Sequence, residues 1–93
     1  MYVAIRRYEN NAQLADRLVA RRDEIQAVIS EVAGFRAYYL LRSSDGTTSV
    51  TVCDDQEGAE ESTRIAANWL RRNMPDAVSR APQVTAGEAV MDF

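Results

Sequence analysis

Residues 2–8, YVAIRRY, set the β-formers Tyr2, Val3, Ile5 and Tyr8 among smaller and charged residues and predict a strand. Asn10 and Asn11 follow as candidate N-caps, because a short side-chain carbonyl can accept the unpaired N–H groups of a first helical turn. Leu14, Leu18, Ile25, Val28, Ile29 and Val32 then recur at three- and four-residue steps, with Arg21 in the apolar slot between Leu18 and Ile25. That spacing predicts one long helix, ended by Gly34, a residue that tolerates the left-handed conformation beyond a helix C-terminus. FRAYYLLR (35–42) reads as a second strand and TTSVTVC (47–53) as a third, joined by SSDG, whose Asp45-Gly46 pair suits a tight turn with positive φ. DDQEGAEE opens a second helix running to about Asn73; its acidic start and its Arg71-Arg72 end both complement the helix dipole. Pro75 and Pro82 mark a loop, and VTAGEAVMDF closes as a last strand.

The order β-α-β-β-α-β predicts an α+β fold, the ferredoxin-like βαββαβ sandwich, a four-stranded antiparallel sheet with two helices on one face. Ninety-three residues form a single domain, 1–93. Strand alternation sets Val3, Ile5, Val50 and Val52 on one face and Ala4, Thr51 and Cys53 on the other, with Cys53 expected to face away from the helices. Tyr38 and Leu40 share a face opposite Phe35, Ala37, Tyr39 and Leu41, so neither side of the second strand is polar enough to stand in water alone. The simplest cover for the bare face is a second copy of the same sheet, giving a homodimeric barrel.

Composition narrows the partners. The chain is 46% hydrophobic and 27% charged, as in ordinary globular domains. Its net charge of −3 and its lack of any basic run longer than two residues argue against nucleic acid. All 11 positive residues are arginine, which suggests a GC-rich bacterial genome. The single Cys53 fits a reducing cytoplasm, the apolar-then-arginine N-terminus is the reverse of a signal peptide, and no stretch is long enough to span a membrane. Cytoplasmic localisation is expected.

The absence of histidine removes the histidine-based triads and the histidine-liganded zinc and haem sites, and one cysteine makes no thiolate cluster. No phosphate-cradling glycine motif occurs. Asp54-Asp55 and Glu60-Glu61 are adjacent pairs whose side chains diverge, so they read as helix-start acids, with Glu60 spaced to meet Arg64, and no metal site is expected. Cys53 reads as a small buried residue more readily than as a reactive thiol. One of Arg6 and Arg7 must face the helix layer or the mouth of the fold, as an ion-paired edge charge or as a group orienting an anion. Tyr38 and Tyr39 point to opposite sides. Trp69, three residues after Ala66 and four after Ile65, lies on the apolar stripe of the second helix, either as a core anchor or as the wall of a cavity that the surrounding alanines leave unfilled.

The GFRAYYLL stretch after the first helix and the NWL at 68–70, in a compact chain of this element order, resemble the antibiotic biosynthesis monooxygenase-like group of the dimeric α+β barrel superfamily. The resemblance implies a homodimer with a pocket between helices and sheet in each subunit. In cofactor-independent members, tryptophan, asparagine and tyrosine surround an aromatic substrate that is oxidised by dioxygen. Haem-degrading members add a histidine after the tryptophan and an asparagine on the first strand; here LRRNMPDAVSRAP carries no histidine, and Arg6 and Arg7 occupy the strand position. The resemblance thus points to a cofactor-free enzyme acting on a small aromatic molecule, with Trp69, Asn68, Arg7, Tyr39 and Phe35 as candidate ligand contacts. A non-catalytic binder of a small apolar ligand and a dimeric structural or stress-related protein are the alternatives on the same fold.

Overall fold

The computed structural model describes residues 1–93. Its elements are β1 (Tyr2–Glu9), α1 (Gln13–Val19), α2 (Arg22–Ile29), β2 (Phe35–Ser43), β3 (Gly46–Cys53), α3 (Gln56–Asn73) and β4 (Gln83–Glu88). The strands form one antiparallel sheet in the order β2-β3-β1-β4, the ferredoxin-like topology, with the helices packed against one face.

The expected long helix is broken in two. Arg21 departs from helical geometry (φ −121°, ψ 32°), and α2 restarts after it. The side chain turns inward over Trp69, so the polar residue in the apolar slot marks the break. Nor do Asn10 and Asn11 cap α1. Asn10 sits in the left-handed region (φ 57°), while Asn11 donates from its amide to the Ala77 carbonyl at 2.7 Å. Thr47 on β3 ties down the start of α1 instead, accepting from the Ala15 N–H at 3.1 Å and donating to the Asn11 carbonyl at 2.8 Å. Gly34 takes the expected left-handed conformation (φ 77°), but it does not end the helix: α2 stops at Ile29 with Ser30 as its C-cap, and Gly34 lies in the turn that leads into β2.

In the β2–β3 hairpin, Gly46 does not adopt positive φ. Glycine is needed there because a Cβ would lie 2.4 Å from the Tyr8 carbonyl oxygen of the neighbouring strand. Asp55 caps α3 by accepting from the Gly58 N–H at 3.0 Å, and Arg71 and Arg72 occupy its last turn. The ion pair on α3 is Glu61 with Arg64, one turn apart, while Glu60 accepts from Gln56. β4 is shorter than the sequence suggests: it ends at Glu88, and Val90, Met91 and Phe93 lie exposed beyond it.

The covered face of the sheet carries Ala4, Arg6 and Tyr8 on β1 and Thr47, Ser49, Thr51 and Cys53 on β3, all buried. Cys53 therefore faces the helices, against Gly58 of α3, and not away from them. Val3, Ile5, Val50 and Val52 take the open face. A register shift between Phe35 and Ala37 sets Phe35 opposite Cys53, on the covered side, and leaves Ala37, Tyr39 and Leu41 on the open side. The apolar core is Tyr8, Leu14, Leu18, Leu70 and Met74, with Ile25, Leu40 and Trp69 packed around it. No helix is long and apolar enough to cross a membrane.

Candidate functional site

β1 alternation sends Arg6 into the interior and Arg7 to the other side. Arg6 is 1% exposed. Its Nε donates to Ser49 at 2.9 Å, Nη1 to Ser62 at 3.2 Å and to Thr63 at 3.1 Å, and Nη2 to Thr51. All four acceptors are neutral hydroxyls, and none of the ion pairs in the fold includes Arg6. A buried cation without a carboxylate leaves a positive potential in a low-dielectric interior. Burial lowers the affinity of the Arg6 guanidinium for its proton, and the nearby Tyr8 and Tyr38 hydroxyls partly offset this. Burial in turn raises both tyrosine pKa values above the usual 10.0, while the Arg6 charge pulls each back and Ser49 pulls Tyr38 back further. Both hydroxyls thus stay protonated at neutral pH and can donate.

Tyr38 stands at the inner end of a cleft between α2 and β2. The cleft has a volume of about 470 Å³, and most of its wall is apolar: Ile25, Ile29, Phe35, Tyr39 and Leu40 contribute, with Arg22 the one charged residue. Behind it lies a void of about 30 Å³ between helices and sheet, bounded by Tyr8, Tyr38, Ser49, Ala66 and Trp69 among others. That is room for about one water molecule. Leu18, Ile25, Ile29 and Tyr38 line both spaces.

Trp69 is half-buried against the core and walls the small void, so anchor and wall coincide in one ring. The Arg21 guanidinium stacks over it, 5.0 Å from the ring centroid. Arg21 also pairs with Glu24 at 2.6 Å and donates to the Asn73 side chain at 3.0 Å, and Asn73 in turn donates to the Trp69 carbonyl at 2.9 Å. This clasp fixes the α1–α2 break over the end of α3.

The five candidate contacts do not converge. Phe35 and Tyr39 meet in the α2–β2 cleft. Trp69 and the exposed Asn68 line an outer groove between α2 and α3, where Asn68 accepts from Arg71. Arg7 lies at the surface, paired with Asp45 at 2.9 Å. The interior arginine is its neighbour Arg6, and strand alternation read against the buried Tyr8 would have found it. Tyr38 was legible as a packing residue; its place beside Arg6 depends on the β2–β3 register. No group of three cysteine or acidic side chains is brought together to hold a metal ion.

No protein-family model and no curated protein sequence matches the chain. Solved structures do match in fold. The heme-degrader MhuD from Mycobacterium tuberculosis, with two hemes bound in its active site, superposes with a TM-score of 0.73 at 20% identity, covering 100% of this chain and 99% of that one. A monooxygenase from the ActVA-Orf6 gene of Streptomyces coelicolor, in complex with nanaomycin D, gives 0.71 at 16% identity over 99% and 89% of the two chains. A Bordetella bronchiseptica protein with the provisional name antibiotic biosynthesis monooxygenase gives 0.72 at 16% identity over 97% of each. The chain shares the fold of the antibiotic biosynthesis monooxygenase-like proteins, and at these identities the likeness is one of fold.

Proposed function

We propose that the α2–β2 cleft binds a small, planar, acidic hydroxyaromatic molecule and that the protein oxidises it with dioxygen, no cofactor taking part. One observation carries the reading: an apolar, aromatic-walled cleft of about 470 Å³ ends on Tyr38, beside a buried arginine that has no carboxylate partner. A ring lies between Phe35, Ile25 and Leu40, and its ionised oxygen accepts from the Tyr38 hydroxyl. The Arg6 charge, relayed by Ser49, lowers the cost of that anion. No carboxylate or histidine lines the cleft to take a proton, so the substrate must be acidic enough to ionise to solvent. The resulting carbanion reduces dioxygen: a ring methylene becomes a carbonyl with one oxygen atom, and its two hydrogens leave with the other as water. The monooxygenase activity named for the Streptomyces coelicolor relative supports this reading.

Tyr39 and Ala37 border the cleft and also belong to the open sheet face. A homodimer through that face, with Ile5, Val50 and Leu41 at its centre, would finish the outer wall of each cleft. The unpaired Cys53 fits action in the cytoplasm.

The absence of a base favours a second reading, a binder that holds an already ionised ligand without turnover. An anthrone, whose ring methylene ionises readily, separates the two. Turnover predicts saturable quenching of Trp69 fluorescence together with uptake of one dioxygen per anthraquinone formed. Tyr38→Phe should then cut the rate about 10²-fold while quenching persists. Quenching without oxygen uptake above the protein-free rate leaves a binder. No quenching at all removes both readings and leaves a structural role.

A further inference from the structure

Six of the eleven arginines are neutralised by a carboxylate: Arg7, Arg17, Arg21, Arg36, Arg42 and Arg64. Of the five that are not, Arg6, Arg71 and Arg80 converge on one cleft of about 390 Å³ between α3, the 74–82 loop and β4. No acidic residue lines it, in a chain with 14 acids and a net charge of −3. Arg6 forms the floor, held by its four hydroxyls. Arg71 has only the neutral Asn68 amide as a partner, and Arg80 makes neither an ion pair nor a side-chain hydrogen bond. The walls between these charges are apolar: Leu70 and Met74 from the core, Val78 from the loop and Val84 from β4. The loop is pinned, with the Ala77 N–H donating to the Met74 carbonyl at 3.0 Å and the Ala77 carbonyl accepting from Asn11 at 2.7 Å.

We propose that this cleft is a second binding site, separate from the α2–β2 cleft, and that it takes an organic carboxylate with an apolar body. Guanidinium groups present paired donors that match a carboxylate, and two free ones at the rim of a wall continuous with the core suit a ligand with a charged head and a hydrocarbon tail. The tail extends the core over Leu70 and Met74, whose flexible thioether adapts to its shape. The head meets Arg71 and Arg80, while the unneutralised Arg6 adds a favourable potential from below. A bare inorganic anion would leave those apolar walls unused.

Sodium decanoate and its neutral counterpart decanol test this, with binding followed by NMR on the full chain. Decanoate should shift the Met74 methyl and the Val84 resonances, bind about tenfold or more tightly than decanol, and weaken as salt is raised. The double variant Arg71→Gln/Arg80→Gln changes only exposed side chains. It should keep the wild-type melting temperature and lose about tenfold in decanoate affinity. Shifts at Phe35 and Leu40 instead would assign the ligand to the α2–β2 cleft and overturn the proposal. Equal affinity for decanol, an unchanged double variant or no binding at millimolar decanoate would each overturn it as well. None of these outcomes depends on oxidation of an aromatic, so the two sites stand or fall separately.

Discussion

The two faces of the sheet invert the usual expectation. The face under the helices carries Arg6, Tyr8, Thr47, Ser49 and Thr51 on its central strands, while the face left open carries Val3, Ile5, Val50 and Val52 there, flanked by Tyr39 and Leu41. Tyr39 is 58% exposed and Arg6 is 1%. The covered face tolerates polarity because its polar groups satisfy one another: no buried side-chain nitrogen or oxygen lacks a partner. The open face has no such internal solution, since apolar area is relieved only by another surface. The same two central strands, β1 and β3, thus present a polar set that is satisfied within the chain on one face and an apolar set on the other.

The sharpest test of the covered face separates packing from charge at position 6. Arg6→Ala empties the space and strips Ser49, Thr51, Ser62 and Thr63 of their donor at once. A loss of about 3–4 kcal/mol is expected in urea unfolding. Arg6→Met refills the space without a charge to desolvate, and replacing buried ions by apolar residues of similar size is often neutral or stabilising. It should recover most of that loss. If Arg6→Met is as unstable as Arg6→Ala, the arginine holds the fold through its hydrogen bonds. If it is stable but no longer quenched by an anthrone, the arginine is there for the ligand.

The open face is tested by charge. Val50→Glu places a carboxylate at the centre of the sheet, where the side chain is only partly buried in one chain. Sedimentation should show wild-type protein as a dimer and the variant as a monomer, with association weakened at least about 100-fold, or roughly 2.7 kcal/mol. The unfolding midpoint of the monomer itself should move little. A wild-type protein that sediments as a monomer at micromolar concentration would leave the open apolar face without its proposed cover.

Element order, the strand periods and the acidic start of α3 were legible because each depends on neighbours within a few residues. Which face the helices cover was not, since period-two alternation divides a strand into two sets without assigning either to the inside. Cys53 is the clearest instance: its set was identified and its side reversed. Phe35 was misplaced for another reason, because the irregularity before Ala37 flips it and no composition cue announces it. Arg21 carried a readable signal. An arginine in an apolar slot is either a tolerated exception or a break, and it is the break, clasped to Trp69 and Asn73. The candidate site was legible in type, aromatic with a cation, but not in assembly. Phe35 and Tyr39 share a cleft, while Arg7 and Asn68 lie elsewhere.

The smallest effect reads the interior electrostatics of the covered face through pH. Tyr8 and Tyr38 have folded-state pKa values raised above 10.0, chiefly by burial. Stability from a raised group is fully present below the unfolded pKa. As pH climbs past about 10 the unfolded chain releases these protons while the folded chain retains them, so unfolding becomes progressively easier until the folded values are reached. Urea midpoints should therefore hold level from pH 7 to 9 and fall between pH 10 and 11, with Tyr8→Phe and Tyr38→Phe each flattening the fall. The Arg6 charge pulls both tyrosines back towards the ordinary value. In Arg6→Met that restraint is gone, both folded values rise further, and the alkaline fall should start at the same pH but run deeper. If the Arg6→Met profile overlies the wild type, the guanidinium charge does not reach the two hydroxyls, and the covered face is a polar patch without the internal field that the anion site requires.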